Sequence, residues 1–252
     1  MKKITLANKK LVFTISLFFI TFFGISQTTQ TYSTSGTFTV PAGVTSLQVE
    51  AWGGGGKGGK KTSGNSAYGG GGGGAYAKKL ITVTPGTTYT VSVGIGSITQ
   101  TTTAASDSWF DNNTLILAKG GNSVLDNSTT GASGGLSSSC IGDVRFSGGN
   151  GANGATNGGG GGSSAGTALA GTGATDQNGA IAPSGGGNGS SGSSGSATIS
   201  GSSPGGGGGG GKNTDDGAFG GAGKINITWT CPVYSISTTT VATPICSTNS
   251  AT

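Results

Sequence analysis

Apolar and polar positions alternate in a few short windows, and between those windows the alternation vanishes. Phe38 and Val40 alternate with Thr, a Pro41-Ala42-Gly43 turn follows, and Leu47, Val49 and Ala51 then alternate with polar residues. This predicts a hairpin with one buried face. Strand character returns from Ala75 to Val83, breaks at Pro85-Gly86, and resumes from Thr87 to Val93, which predicts a second hairpin around a type II turn. Trp109-Phe110 with Thr114 to Ala118 make one more short apolar segment. Ile225, Ile227 and Trp229 share one face of a last strand. Trp52 and Trp229 each end an alternating run, and both are expected in one shared core. No window after the first 26 residues has helical periodicity. The expected class is all-β: a small β-sandwich frame with long Gly-rich excursions.

Those excursions, residues 53–74 and 119–223, carry most of the 56 Gly and almost no apolar mass. Ordering the longer one costs on the order of 100–200 kcal/mol of backbone entropy, which hydrophobic burial there cannot offset. Two states meet that constraint. One is a solvated coil, and Gly187 to Gly201 reads as such a linker. The other is backbone packed so closely that its polar groups satisfy one another. A strand after the longer excursion means that it is inserted in a domain rather than trailing from it. Within it, Ile141, Val144 and Phe146 form a small apolar island.

The N-terminus changes the charge picture. Lys2, Lys3, Lys9 and Lys10 precede the apolar run Leu11 to Phe23, which leads into Gly24-Ile25-Ser26. That is the layout of a secretory signal cut after Ser26, and the run is shorter than the roughly 20 residues a membrane span needs. Cleavage leaves nine basic against eight acidic side chains, a net charge of +1 in place of +5. Nucleic acid and anionic membranes are not implied as partners, since both call for a concentrated basic surface. Cys140, Cys231 and Cys246 remain in an oxidising setting, where Cys231 and Cys246 are the expected disulfide. The expected layout is a signal peptide over 1–26, a glycine-rich domain over 27–230, and a further segment over 231–252.

Thr37-Phe38-Thr39-Val40-Pro41-Ala42-Gly43-Val44-Thr45, followed by Val49-Glu50-Ala51-Trp52-Gly53-Gly54-Gly55-Gly56, resembles the opening of glycine-rich domains of bacterial surface proteins and phage tail adhesins. Gly70 to Tyr76, Val83-Thr84-Pro85-Gly86, Val91-Ser92-Val93-Gly94 and Gly220 to Ile225 continue the likeness in order. In those adhesins the Gly-rich segments form a bundle of polyproline II helices whose far loops touch the host receptor. The resemblance therefore implies a bundle here, with inward Gly permitting close approach and Cα–H···O contacts. Cys231-Pro232-Val233-Tyr234 and the residues to Thr252 are similar to the first strands of an immunoglobulin-like repeat from large secreted bacterial proteins. Such a repeat cannot close its sandwich in so short a span, so further domains of a longer parent chain are expected.

Reactive chemistry finds little support in the residues. Gly131-Ala132-Ser133-Gly134-Gly135 has nucleophile-elbow spacing, but the chain has no His to act as its base. Gly149 to Gly154 spells G-x-G-x-x-G without a flanking strand and helix, and Gly211-Lys212 lacks the Ser or Thr of a phosphate loop. Asp107 with Asp111, or Asp215 with Asp216, reads as a solvated turn rather than a calcium site. No cofactor, metal or enzymatic activity is expected.

The expected working surface is the set of excursions that break the Gly runs: Lys57 to Tyr68, Thr172 to Pro183 and Lys212 to Phe219. Candidate ligand-binding residues are Lys57, Lys60, Lys61, Tyr68, Lys212, Asp215, Asp216 and Phe219, toward a glycan or another cell-surface polymer. The alternative function is ice binding, in which flat polyproline II sheets present regularly placed Thr. Thr99, Thr101, Thr102 and Thr103 hold no three-residue register over any length.

Overall fold

Strand β3, Ser46–Trp52, runs through the middle of the larger sheet because its two faces find separate apolar layers. The structure is a computed structural model that describes residues 26–60, 62, 66–98, 105–194 and 199–231. On one side of β3 lie β9, Lys224–Cys231, and then β1, Ser26–Tyr32; on the other lie β4, Tyr76–Thr82, and β8, Val144–Phe146. The second sheet has the order β2 (Gly36–Thr39), β5 (Thr88–Ser92), β6 (Ser108–Phe110) and β7 (Ile116–Ala118). Pairing is antiparallel throughout both sheets. The all-β class is as expected.

The two expected hairpins are not hairpins. β2 and β3 lie in different sheets, and so do β4 and β5. The Pro41–Gly43 and Pro85–Gly86 turns are corners that carry the chain across the sandwich, with Gly43 at φ 77° and Gly86 at φ 80°. The two corners are tied to each other: Val40 N–H donates to Thr87 O at 2.9 Å and Gly86 N–H to Val40 O at 2.9 Å. Alternation reports which face of a strand is apolar. It does not report the neighbour, and here strands from opposite sheets point their apolar faces at one core.

That core takes Phe38, Val91, Phe110 and Ile116 from the smaller sheet and Leu47, Val49, Ile81, Ile225, Ile227 and Trp229 from the larger. Phe38 and Trp229 meet with ring centroids 5.3 Å apart. Trp52 is buried as expected, but not in this core. It follows Ala51 by one residue, so the pleat turns it to the opposite face of β3. There it packs with Tyr76 and Ala165, with Val144 and Phe146 against them. Its ring lies 4.9 Å from Tyr76, its Nε1–H donates to Ala165 O at 3.1 Å, and the Lys224 ammonium sits 4.5 Å from its centroid. Trp52 thus fastens the sheet to the Gly-rich region.

Two strands lie outside the alternating windows. β1 is Ser-Gln-Thr-Thr-Gln-Thr-Tyr, and it is held by its ladder to β9 and by hydroxyl contacts such as Thr29 with Thr228 at 2.9 Å. The expected cleavage after Ser26 falls at its first residue. β8 sits inside the longer Gly-rich stretch and places Phe146 opposite Tyr76, with ring centroids 6.1 Å apart.

The Gly-rich segments form neither coil nor sheet. Their backbone bonds step by three residues along both partners, which is the repeat of polyproline II. Residues 53, 56 and 59 donate to the carbonyls of 75, 72 and 69 at 3.0, 2.8 and 2.9 Å, an antiparallel pair. Residues 159, 162 and 165 donate to those of 68, 71 and 74 at 2.9, 2.9 and 3.0 Å, a parallel pair. Residues 158, 161 and 164 donate to 193, 190 and 187, and residues 187, 190 and 193 donate in turn to 204, 207 and 210. The span 187–194, read from sequence as a linker, is therefore an ordered helix of the bundle. A polyproline II helix has no internal hydrogen bonds, so each of its three edges is free to pair with a different neighbour.

Close approach explains why the residue is Gly. A Cβ on Gly73 would sit 1.9 Å from Ser163 O, and one on Gly158 would sit 1.9 Å from Gly210 O. Each inward Cα–H therefore points at a neighbouring carbonyl, adding a weak contact to the N–H···O ladder. Ser and Asn serve where a carbonyl is missing. Ser163 Oγ accepts Thr172 N–H at 2.8 Å and Asn150 Oδ1 accepts Gly134 N–H at 3.0 Å, while Ser164 Oγ shares Gly187 N–H, at 2.8 Å, with Pro204 O. The Gly, Ser and Asn composition is thus the composition of a hydrogen-bonded bundle.

Candidate functional site: the far end of the bundle

The sandwich anchors one end of the bundle and so defines the other. The chain leaves β3 at Trp52, runs out along 53–59, and returns along 69–75 into β4. Gly59 N–H to Gly69 O is the outermost of those rungs, which puts Lys60 at the end remote from the sheets. Gly211 N–H donates to Gly59 O at 2.9 Å, and Ala67 and Lys212 form an isolated bridge, so Lys212 to Asp216 lie at the same end. Asn127 N–H donates to Lys60 O at 2.9 Å and brings the turn at 125–128 there too, with Asn127 at φ 61°.

Several candidate residues come together. Lys60 Nζ lies 3.5 Å from Asp216 Oδ1. Asp216 is mostly exposed, so this pair contributes at most a fraction of a kcal/mol to stability. Lys212 Nζ donates to Asn157 Oδ1 at 2.8 Å, Asn157 Nδ2 to Gln177 Oε1 at 2.6 Å, and Gln177 Nε2 to Gly192 O at 3.2 Å. This relay ties four segments of the tip into one surface. Asp215 accepts the Ser193 hydroxyl.

Other candidates are placed differently from expectation. Lys57 is not an exposed tip residue: it lies one turn inside the bundle, is 4 % exposed, and its ammonium stands 4.8 Å from the Phe219 ring centroid. Burial holds its pKa below the ordinary lysine value, and the Asp216 carboxylate only partly opposes that. Tyr68 is buried as well, because its backbone is itself a rung, donating to Gly211 O at 3.0 Å and accepting from Gly159 N–H at 2.9 Å. Phe219 is 46 % exposed on a flank of the bundle. Thr172 to Pro183 is not one distal loop. Asp176 reaches the tip, where its carbonyl accepts Gly160 N–H, but Thr172 O pairs with Ser163 N–H halfway down and the chain then descends toward the sandwich. Lys61 and Thr99, Thr101, Thr102 and Thr103 lie outside the described residues.

Asn157, Gln177 and Ser193 belong to the tip and were not singled out from sequence. Asn157 stands where a Gly run begins, as Lys212 stands where one ends. That position is the signal: it is where a helix of the bundle emerges. The motifs discounted from sequence resolve structurally. Ser133 is on a bundle helix and receives Asn122 Nδ2–H at 2.7 Å. Asp107 is engaged by Lys119 Nζ at 2.6 Å and by Gly120 N–H at 2.9 Å. Cys231 is disulfide-bonded and Cys140 is a buried free thiol, while the expected partner Cys246 lies outside the described residues. The residues after Cys231, expected to open an immunoglobulin-like repeat, and the apolar run Leu11 to Phe23 lie outside them too. Among the described residues no helix is long and apolar enough to cross a membrane.

A family model described as a glycine-rich domain matches residues 28–230 of the chain. No curated protein matches it.

Proposed function

The chain belongs to the glycine-rich domain family, and on that premise we propose that it is a secreted, non-enzymatic surface module whose far end grips a glycan or another cell-surface polymer. One observation carries the reading. A bundle of backbone that is almost bare of side chains ends in a surface where Lys60, Asp216, Lys212, Asn157 and Gln177 converge. The runs themselves offer a partner only satisfied backbone, so recognition falls to the end that carries charge and amides. Rigid scaffolds that present loops are where binding residues concentrate. The Lys-rich start, the apolar run and the disulfide of Cys231 support export.

The test is to replace 60–66, 175–178 and 212–216, one at a time, with Gly/Ser of equal length, leaving the bundle rungs in place. Adhesion of the folded protein to cells and to purified polysaccharide should fall in at least two of the three variants. Undiminished adhesion in all three would move binding away from this end.

A further inference from the structure

Beside the tip, the flank bearing Phe219 carries two adjoining clefts. One, of about 420 Å³, is lined by Thr214, Asp215, Asp216, Phe219 and Ser200. The other, of about 400 Å³, is lined by Asn188, Ser191, Ser194, Ile199 and the same Ser200. Each is of the size of a small-molecule site. Sharing Ser200, they make one groove across neighbouring helices: Gly201 N–H donates to Phe219 O at 2.9 Å, and Ser202 N–H to Asn188 O at 2.9 Å.

We propose that this groove binds a neutral, hydroxyl-rich oligosaccharide, one sugar unit in each cleft, an inference that rests on the glycan-binding reading above. The walls are hydroxyls, an amide and carboxylates, the groups that exchange hydrogen bonds with sugar hydroxyls. Asp215 lines the cleft, and its Oδ2 is taken by the Ser193 hydroxyl. Phe219 adds an apolar ring against which the C–H face of a sugar can pack, and the Lys57 ammonium stands 4.8 Å from its centroid. The charges argue against an acidic polymer. Among the described residues the titratable groups lining the cleft are the Asp215 and Asp216 carboxylates, with Lys60 offsetting Asp216 and the Lys57 ammonium over the Phe219 ring. A uronate or sulfated chain would meet like charge there.

The experiment titrates the full chain with tetramers of β-1,4-linked glucose and of β-1,4-linked N-acetylglucosamine, and with an acidic tetramer of galacturonate. At least one neutral probe should bind more tightly than the acidic one. Phe219→Ala and Asp215→Asn should each weaken it about tenfold. Because Phe219 also contacts Lys57, the second arm is Ser200→Trp. This replaces an exposed side chain at the junction of the clefts, should leave the melting temperature unchanged, and should abolish neutral binding. Neutral binding that survives Ser200→Trp, or tighter binding of galacturonate, overturns the groove. If the parent adheres to cells but takes none of the three probes, the groove fails and the adhesive reading stands. If it adheres to nothing, both fail.

Discussion

Substituting Gly73 by Ala tests the bundle directly. Its added Cβ would lie 1.9 Å from Ser163 O and 2.7 Å from Ser164 N, both backbone atoms. To open that contact to 3.0 Å, two buried helices must separate by about 1.1 Å. Across these same two helices Gly162 N–H donates to Gly71 O at 2.9 Å and Ala165 N–H to Gly74 O at 3.0 Å, so the shift stretches both bonds past hydrogen-bonding range. Two buried bonds left unmade cost about 1–3 kcal/mol each, and overpacking adds about 1–3 kcal/mol. The lower chain entropy of Ala returns only about 0.4–1 kcal/mol. The sum is roughly 3–8 kcal/mol, a large part of the roughly 5–15 kcal/mol that holds a domain folded. Gly173→Ala is the control, since its Cβ would meet Asn150 O at an ordinary 3.5 Å. Urea titration followed by tryptophan fluorescence, with Trp52 reporting the joint between sheet and bundle, should show Gly173→Ala within about 0.5 kcal/mol of the parent. Gly73→Ala should unfold at far lower urea. A Gly73→Ala protein within 0.5 kcal/mol of the parent would refute the close-packed bundle.

Three further outcomes are expected. Trp52→Phe removes the bond to Ala165 O, leaving that carbonyl only the longer Ser164 hydroxyl contact at 3.3 Å, and shrinks the ring facing Lys224, so it should cost about 1–3 kcal/mol in the same titration. Burial, with Glu50 as hydrogen-bond partner, pushes the Tyr76 phenol well above its usual value. The folded state therefore holds that proton while the unfolded chain loses it near pH 10, so stability falls as pH rises above 10, and Tyr76→Phe should flatten that fall; an unchanged slope would remove Tyr76 as its source. Lys57 and Lys224, both held below the usual lysine value by burial, act in the opposite sense and raise stability as pH climbs toward 10.5. Intact-mass analysis of exported protein should give Gln27 as the first residue, and retention of Leu11 to Phe23 would reverse the export reading.

The sandwich was legible in the sequence wherever side chains carry a period of two. β3, β4, β5 and β9 fall within a residue or two of the alternating windows. Pairing was not legible, because a short Pro-Gly turn serves a hairpin and a corner equally well, and only the second sheet decides between them. β1 was hidden because its stability comes from a backbone ladder and Thr–Thr contacts rather than from apolar burial. Position at the end of the alternating run assigns Trp52 to the Ala51 face, whereas the pleat puts it on the other, and that one-residue phase separates the sandwich core from the joint to the bundle. At the tip, Lys60, Lys212 and Asp216 were legible as breaks in Gly monotony. Asn157 and Gln177 were not, since amides also occur throughout the bundle as backbone acceptors, and only three-dimensional placement separates the two uses.

The entropy cost that made the Gly-rich stretch look unfoldable also limits how such a stretch can fold. An α-helix or a sheet strand commits its backbone groups to one or two partners and leaves the rest of the stabilisation to side chains, which these residues lack. A polyproline II helix commits none to itself, so Gly71 can donate to Gly208 O at 2.7 Å and accept from Gly162 N–H at 2.9 Å, while Gly72 donates to Asn122 O at 3.0 Å. Successive residues thus address successive neighbours, and removing one helix leaves donors and acceptors of several others unpaired. The bundle is cooperative for that reason. Because its interior is mostly Gly, with few side chains to vary, diversity of recognition falls to the outer surface: the places where helices emerge, around Lys60, Asn157, Gln177 and Lys212, and the flank bearing Phe219.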